Sequence, residues 1–120
     1  MVFKAPQGWR YDYDPYSGYE TYTRPDECQY VVIRFLDRDF MDCMEEIEEN
    51  ASWGVYDETA WLILRDDRDW YMGASSNYID AVCPGDLGGV VWITVVMDDT
   101  YNDWYLARRM ISSVSSLSQY

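Results

Sequence analysis

Histidine is absent from the 120 residues, and lysine occurs once, at Lys4. The first absence excludes an imidazole as general base, proton shuttle or metal ligand, and with it the Ser-His-Asp and Cys-His nucleophilic arrangements. No P-loop and no GxGxxG is present, so the common phosphate cradles are missing as well. Long apolar runs are also missing. The longest, residues 90 to 97, is interrupted at Thr94 and falls far short of the ~20 residues that cross a bilayer. The first eight residues lack the apolar stretch of a signal peptide, and the expected location is the cytoplasm. Three widely spaced cysteines, Cys28, Cys43 and Cys83, fit neither a disulfide framework nor a CxxC metal knuckle, and they read as reduced, buried thiols.

What is present is acid and aromatic surface. Asp and Glu number 22 against 9 Lys and Arg, a net charge of -13. Disordered acidic chains lack aromatics, whereas this one carries 6 Trp, 12 Tyr and 3 Phe within a 48% hydrophobic composition, so it is expected to fold as a single domain. A field of that sign opposes phosphate backbones and anionic lipid while favouring a basic protein. The expected partner is therefore a basic protein, with no direct contact to nucleic acid or membrane.

Residues 9 to 24 read as an aromatic hairpin turning at Asp14-Pro15-Tyr16-Ser17-Gly18, where Pro presets one turn dihedral and Gly accepts a positive one. Its tyrosines are expected to pack onto the core, with a binding surface as the other reading. Residues 28 to 36 read as a strand, and Asp37 as the N-cap of a helix over 37 to 51. On that helix Phe40, Cys43, Met44, Ile47 and Ala51 fall within an arc about 100° wide, the width of a core-facing stripe. Strands are expected at 59 to 65 and 70 to 72, joined by a charged turn, and a short edge strand is possible within 75 to 82. A glycine-rich loop follows over 83 to 89. Residues 90 to 97 are apolar on both alternating faces, apart from Thr94, and suit a central strand. Thr100 and Asp103 resemble a capping box opening a second helix that runs to about residue 117. The expected fold class is α+β: one domain over residues 1 to 120, a mainly antiparallel sheet with an N-terminal hairpin and two helices packed on it in two layers.

Around the first helix Asp37, Asp39, Asp42, Glu45, Glu46, Glu48 and Glu49 all project away from the apolar stripe. At ~1.5 Å of rise per residue they supply one carboxylate per ~3 Å of axis, against ~3.4 Å per charge along one DNA strand. Only Arg38 shares their arc, so the usual Glu-Lys neutralisation is missing. A solvated face would explain the run, and so would use as a binding face. Asp66, Asp67 and Asp69, in one turn, extend the field. The expected partner-binding set is Asp39, Asp42, Glu45, Glu46, Glu49, Asp66, Asp67 and Asp69, with anchors among Trp53, Tyr56, Trp70 and Tyr71.

Two enzymatic patterns are weaker. Asp37-Arg38-Asp39 after an apolar strand resembles the Asp-x-Asp clamp for Mg²⁺ in some transferases, but no basic cluster accompanies it and capping accounts for Asp37. Cys83 beside glycine-rich backbone lacks a base. The reading is thus of a binding protein without cofactor or metal: an acidic inhibitor that fills a basic nucleic-acid-binding or nuclease groove by mimicking phosphate. In size, charge and helix pattern the chain resembles small phage anti-defence proteins of the anti-CRISPR and DNA-mimic anti-restriction kinds, and equally acidic toxin-immunity proteins. That likeness covers no motif and assigns no residue. A Mg²⁺-dependent enzyme using Asp37 and Asp39, or a plain acidic interaction module, are the alternatives.

Overall fold

The run beginning at Val90 lies at the centre of the fold. In the computed structural model, which describes residues 7–26, 29–63, 69–85, 88–97 and 111, it forms β7 (Val90–Val96), the middle member of a seven-stranded sheet. Its β-branched side chains suit a strand covered on both faces, and all but Thr94 and Val96 are buried. The other elements are β1 (Arg10–Tyr13), β2 (Glu20–Thr23), β3 (Tyr30–Leu36), α1 (Phe40–Ser52), β4 (Glu58–Ile63), β5 (Asp69–Ala74) and β6 (Tyr78–Pro84). Strand order is β1-β2-β3-β7-β6-β5-β4 and every pairing is antiparallel. The chain is therefore two meanders that meet at β7. The one long crossover, from β3 to the far edge at β4, carries α1 across the sheet face and onto β4, β5 and β6.

Sheet register sorts the core into two clusters. On the face under α1, Cys43 and Ile47 meet Tyr56, Tyr71, Val82, Val90 and Trp92. On the opposite face Val31, Ile33, Trp70, Met72, Ile79, Ala81, Ile93 and Val95 are buried together with Ile111, which is helical. Each buried Val, Ile or Met among them contributes about 1.5 to 3 kcal/mol of burial. The α+β class and the antiparallel sheet agree with the sequence, and α1 is the single helix among the described residues that has a defined span. The second helix expected over 100 to 117 lies outside the described residues except for Ile111. Among the described residues no helix is long and apolar enough to cross a membrane.

Four expectations are corrected. The N-cap of α1 is Asp39, whose carboxylate accepts from the Met41 N–H at 2.7 Å, because the chain leaving β3 bends for two residues at Asp37 and Arg38 before it coils. Residues 78 to 84 form β6, which is interior, paired to β5 and to β7, so the edge strand within 75 to 82 is overturned. Its one acid, Asp80, is half-buried beside the buried Ile79 and Ala81. The proposed glycine-rich loop begins later, since Cys83 and Pro84 still belong to β6. Finally, the hairpin forms as expected, with Gly18 at φ +75° and its N–H donating to the Asp14 carbonyl at 2.7 Å, but it packs on the core only in part. Tyr11 pairs with Tyr22, and only Trp9 and Tyr22 reach the core, while Tyr11 and Tyr13 stay 48% and 56% exposed. Strand β1 is the sheet edge, too far from the centre for the core to cover it.

Gly73 shows how tightly the α1 face is filled. A Cβ there would lie 2.6 to 2.8 Å from the Tyr56 ring, inside any permitted contact. Gly73 pairs with Asp80 on β6, so its missing side chain is the gap through which Tyr56 reaches that carboxylate. Gly73→Ala is expected to destabilise by about 1 to 3 kcal/mol through overpacking, with Tyr56→Leu partly rescuing it. Urea unfolding of the two variants measures this, and an unchanged midpoint for Gly73→Ala would refute it.

Candidate functional site

Helix α1 begins at the sheet end where Leu36, Val90, Pro84, Asp69 and Ile63 are aligned by register. Asp69 shares strand parity with Tyr71, so it faces the same side of the sheet as α1 and lies at the end where that helix starts. Among the expected binding residues, Asp42, Glu45 and Glu49 are exposed and have no hydrogen bond or ion pair among the described residues. Asp39 is exposed too but is committed to the cap. Glu46 is half-buried and faces Arg38 at 3.4 Å. Glu48, beside the expected set, accepts from the Tyr71 hydroxyl. Asp66 and Asp67 lie outside the described residues. The structure thus brings Asp39, Asp42, Glu45, Glu49 and Asp69 to one side of the molecule and ties Glu46 and Glu48 into local contacts.

The described arginines are engaged elsewhere. Arg10 pairs with Asp12 at 3.1 Å and Arg24 with Asp26 at 2.6 Å, each within its own segment. Arg34 is stacked over Trp92, 4.8 Å from the ring centroid, and over Tyr19 at 5.7 Å. With Arg38 on Glu46, all four described arginines are engaged, and none reaches Asp42, Glu45 or Glu49. The last turn of α1 carries Glu49 and no basic residue, which sets an acid against the negative end of the helix dipole.

Aromatics border this face. Trp61 on β4 is 50% exposed, with its ring 6.2 Å from Phe40 and 5.2 Å from Tyr71. Trp53, at the C-cap of α1, is 78% exposed, and Met41 is exposed in the first turn. Of the anchors expected from sequence, Trp53 is at the surface, whereas Tyr56, Trp70 and Tyr71 are core residues and are withdrawn from that role. Trp61 was missed because its exposure follows from β4 being a sheet edge, which its neighbours in sequence do not reveal.

Behind the helix, Asp80 gathers three donors: the Tyr56 hydroxyl at 2.7 Å, Trp92 Nε1 at 3.0 Å and the Thr94 hydroxyl at 2.5 Å. This cluster organises the sheet face on which α1 rests. Burial first, and the Asp80 hydrogen bond second, push the Tyr56 phenol well above its ordinary 10.0, while burial also raises Tyr71, Tyr22 and the Cys43 thiol. For an acid raised by folding, the unfolded chain ionises first. The stability these groups contribute is full below the unfolded value and is lost as pH rises past it. Stability is therefore expected to fall from about pH 9, through Cys43, and more steeply above about pH 10, through the tyrosines. Urea midpoints across that range check it, and a flat profile to about pH 11 would refute it. Among the described residues no group of three or more Cys, Asp or Glu side chains is placed to hold a metal ion. No family model, curated protein or solved structure matches the chain.

Proposed function

We propose that the protein is a cytoplasmic, stoichiometric inhibitor that presents the outer face of α1 to the basic nucleic-acid-binding or nuclease groove of a partner, with carboxylates where phosphates would lie. The observation that carries this reading is that Asp42, Glu45 and Glu49 are exposed and have no cation partner among the described residues, where every arginine is engaged elsewhere. A face that served only solubility would gain from interspersed Lys or Arg at (i, i+4), and α1 has none. Acidity supplies steering, and Trp61 and Trp53 supply apolar contact that a bare polyanion lacks.

The test is DNA cleavage by CRISPR, restriction and toxin nucleases at equimolar protein, with the variant D42N/E45Q/E49Q as control. Inhibition of one enzyme class, lost in the variant, supports the reading. Equal inhibition by both proteins removes α1 from the interface. Tight, salt-insensitive binding of the protein to bare DNA or RNA would overturn the reading as a whole.

A further inference from the structure

The two sheet edges are guarded differently. β1 has four residues and alternates Arg10 and Asp12 with its tyrosines, the short, charged edge that resists strand addition. β4 is the other edge, and its six residues, Glu58-Thr59-Ala60-Trp61-Leu62-Ile63, hold no Lys, no Pro and one charge, at the start. Glu58, Ala60 and Trp61 are exposed. An edge about 20 Å long at ~3.3 Å per residue, with no guard residue of its own, is a template for another strand.

Charge selects the occupant. On the α1 side of β4, Glu48 accepts from Tyr71, the residue opposite Trp61; Asp57 and Glu58 stand at one end of the strand, and Asp69 pairs with Ile63 at the other. A second copy of a chain carrying -13 would bring acid against acid. A basic strand would instead add its backbone to β4, set Lys or Arg toward those carboxylates and lay one cation on the open face of Trp61.

We infer that β4 is a strand-addition site for an extended, Lys/Arg-rich segment of the partner, seated as an eighth strand beside Trp61. This rests on the proposed function and specifies how the partner is held. The probe is an acetylated, amidated peptide alternating Lys and Val, about ten residues long, to span the edge. A second version is N-methylated on the backbone amides that face β4, which keeps its charge and removes its ladder donors.

Expected results are binding of the first peptide at low salt, slowed amide exchange across residues 58 to 61, and a loss of affinity of roughly tenfold or more on N-methylation or in Trp61→Ala. Equal binding of both peptides, or exchange protection confined to α1, would overturn strand addition while leaving the acidic helix reading in place. The converse result, with D42N/E45Q/E49Q binding a partner nuclease as before while the N-methyl effect persists, would remove α1 from the interface and leave the β4 site standing. Self-association of the protein that protects β4 without peptide would overturn the choice of a basic occupant.

Discussion

Replacing Asp80 by Leu is expected to cost on the order of 3 to 5 kcal/mol, much of the 5 to 15 kcal/mol that holds a typical domain together. Leucine fills similar space, so the loss comes from donors and not from volume. Trp92 Nε1 and the Thr94 hydroxyl both donate to one carboxylate oxygen, and Tyr56 donates to the other. Trp92 and Tyr56 are buried, so water does not readily replace the acceptor, and each orphaned donor costs about 1 to 3 kcal/mol. Tyr56 keeps a second contact, to Asn50 of α1, and therefore contributes at the low end. Asp80→Asn preserves the oxygen that serves Trp92 and Thr94, and the Tyr56 hydroxyl can turn to accept from the new amide. That variant is expected to lose only about 1 to 2 kcal/mol. Urea unfolding followed by tryptophan fluorescence distinguishes the two. If the Leu variant unfolds within about 1 kcal/mol of the parent, the three donors are not the organising feature of this face.

Asp80 also marks what the sequence conceals. The amphipathic period of α1 was legible because nearly four consecutive turns of polarity must agree with one 3.6-residue repeat, and a central strand was legible in residues 90 to 97 because both of its faces are apolar. The hairpin announced itself through Pro15 and Gly18. Strand order did not, because pairing β3 with β7 joins segments far apart in sequence, and no local pattern states it. From that single gap several errors follow. The strand holding Asp80 read as an edge when it is interior, Trp61 passed as one apolar letter of a strand when it is a half-exposed ring at a real edge, and the tyrosines of β1 were assigned to a core that does not extend so far. The cap was misplaced for a local reason: Asp37 and Asp39 have the same capping chemistry, and only the bend after β3 decides between them. For the candidate site, the outward acids were legible, but the isolation of Asp42, Glu45 and Glu49 from every described arginine needed the structure.

Neutralising those three residues is expected to separate binding from stability. In D42N/E45Q/E49Q the shape of the outer face is kept and the Arg38–Glu46 contact is left intact. Within α1 the like-charge neighbours at (i, i+3) and (i, i+4) are Asp42 with Glu45 and Glu46, Glu45 with Glu48 and Glu49, and Glu46 with Glu49; every pair includes a substituted residue. At ~0.2 to 0.5 kcal/mol each, relief of repulsion is worth about 1 to 2.5 kcal/mol, and removing Glu49 from the negative end of the dipole adds to it. Losing Asp42 from the first turn takes back ~0.3 to 1 kcal/mol. The midpoint of thermal unfolding should stay level or rise, by about 4 °C for each kcal/mol gained in a chain of this size. Association with the basic groove should behave oppositely, slowing roughly tenfold at low salt and converging on the parent rate above about 0.5 M, where a Debye length of roughly 4 Å screens the acidic face. Ile47→Ala provides the contrast: Ile47 is fully buried beneath the helix, so the variant should lose about 2 to 5 kcal/mol with no charge removed from that face. Stopped-flow association at two salt concentrations, beside calorimetric unfolding of the same proteins, reads both effects. A neutralised helix that melts higher and associates as fast as the parent at low salt would make the acids of α1 a solvated surface, and the interface would then have to be sought at the β4 edge alone.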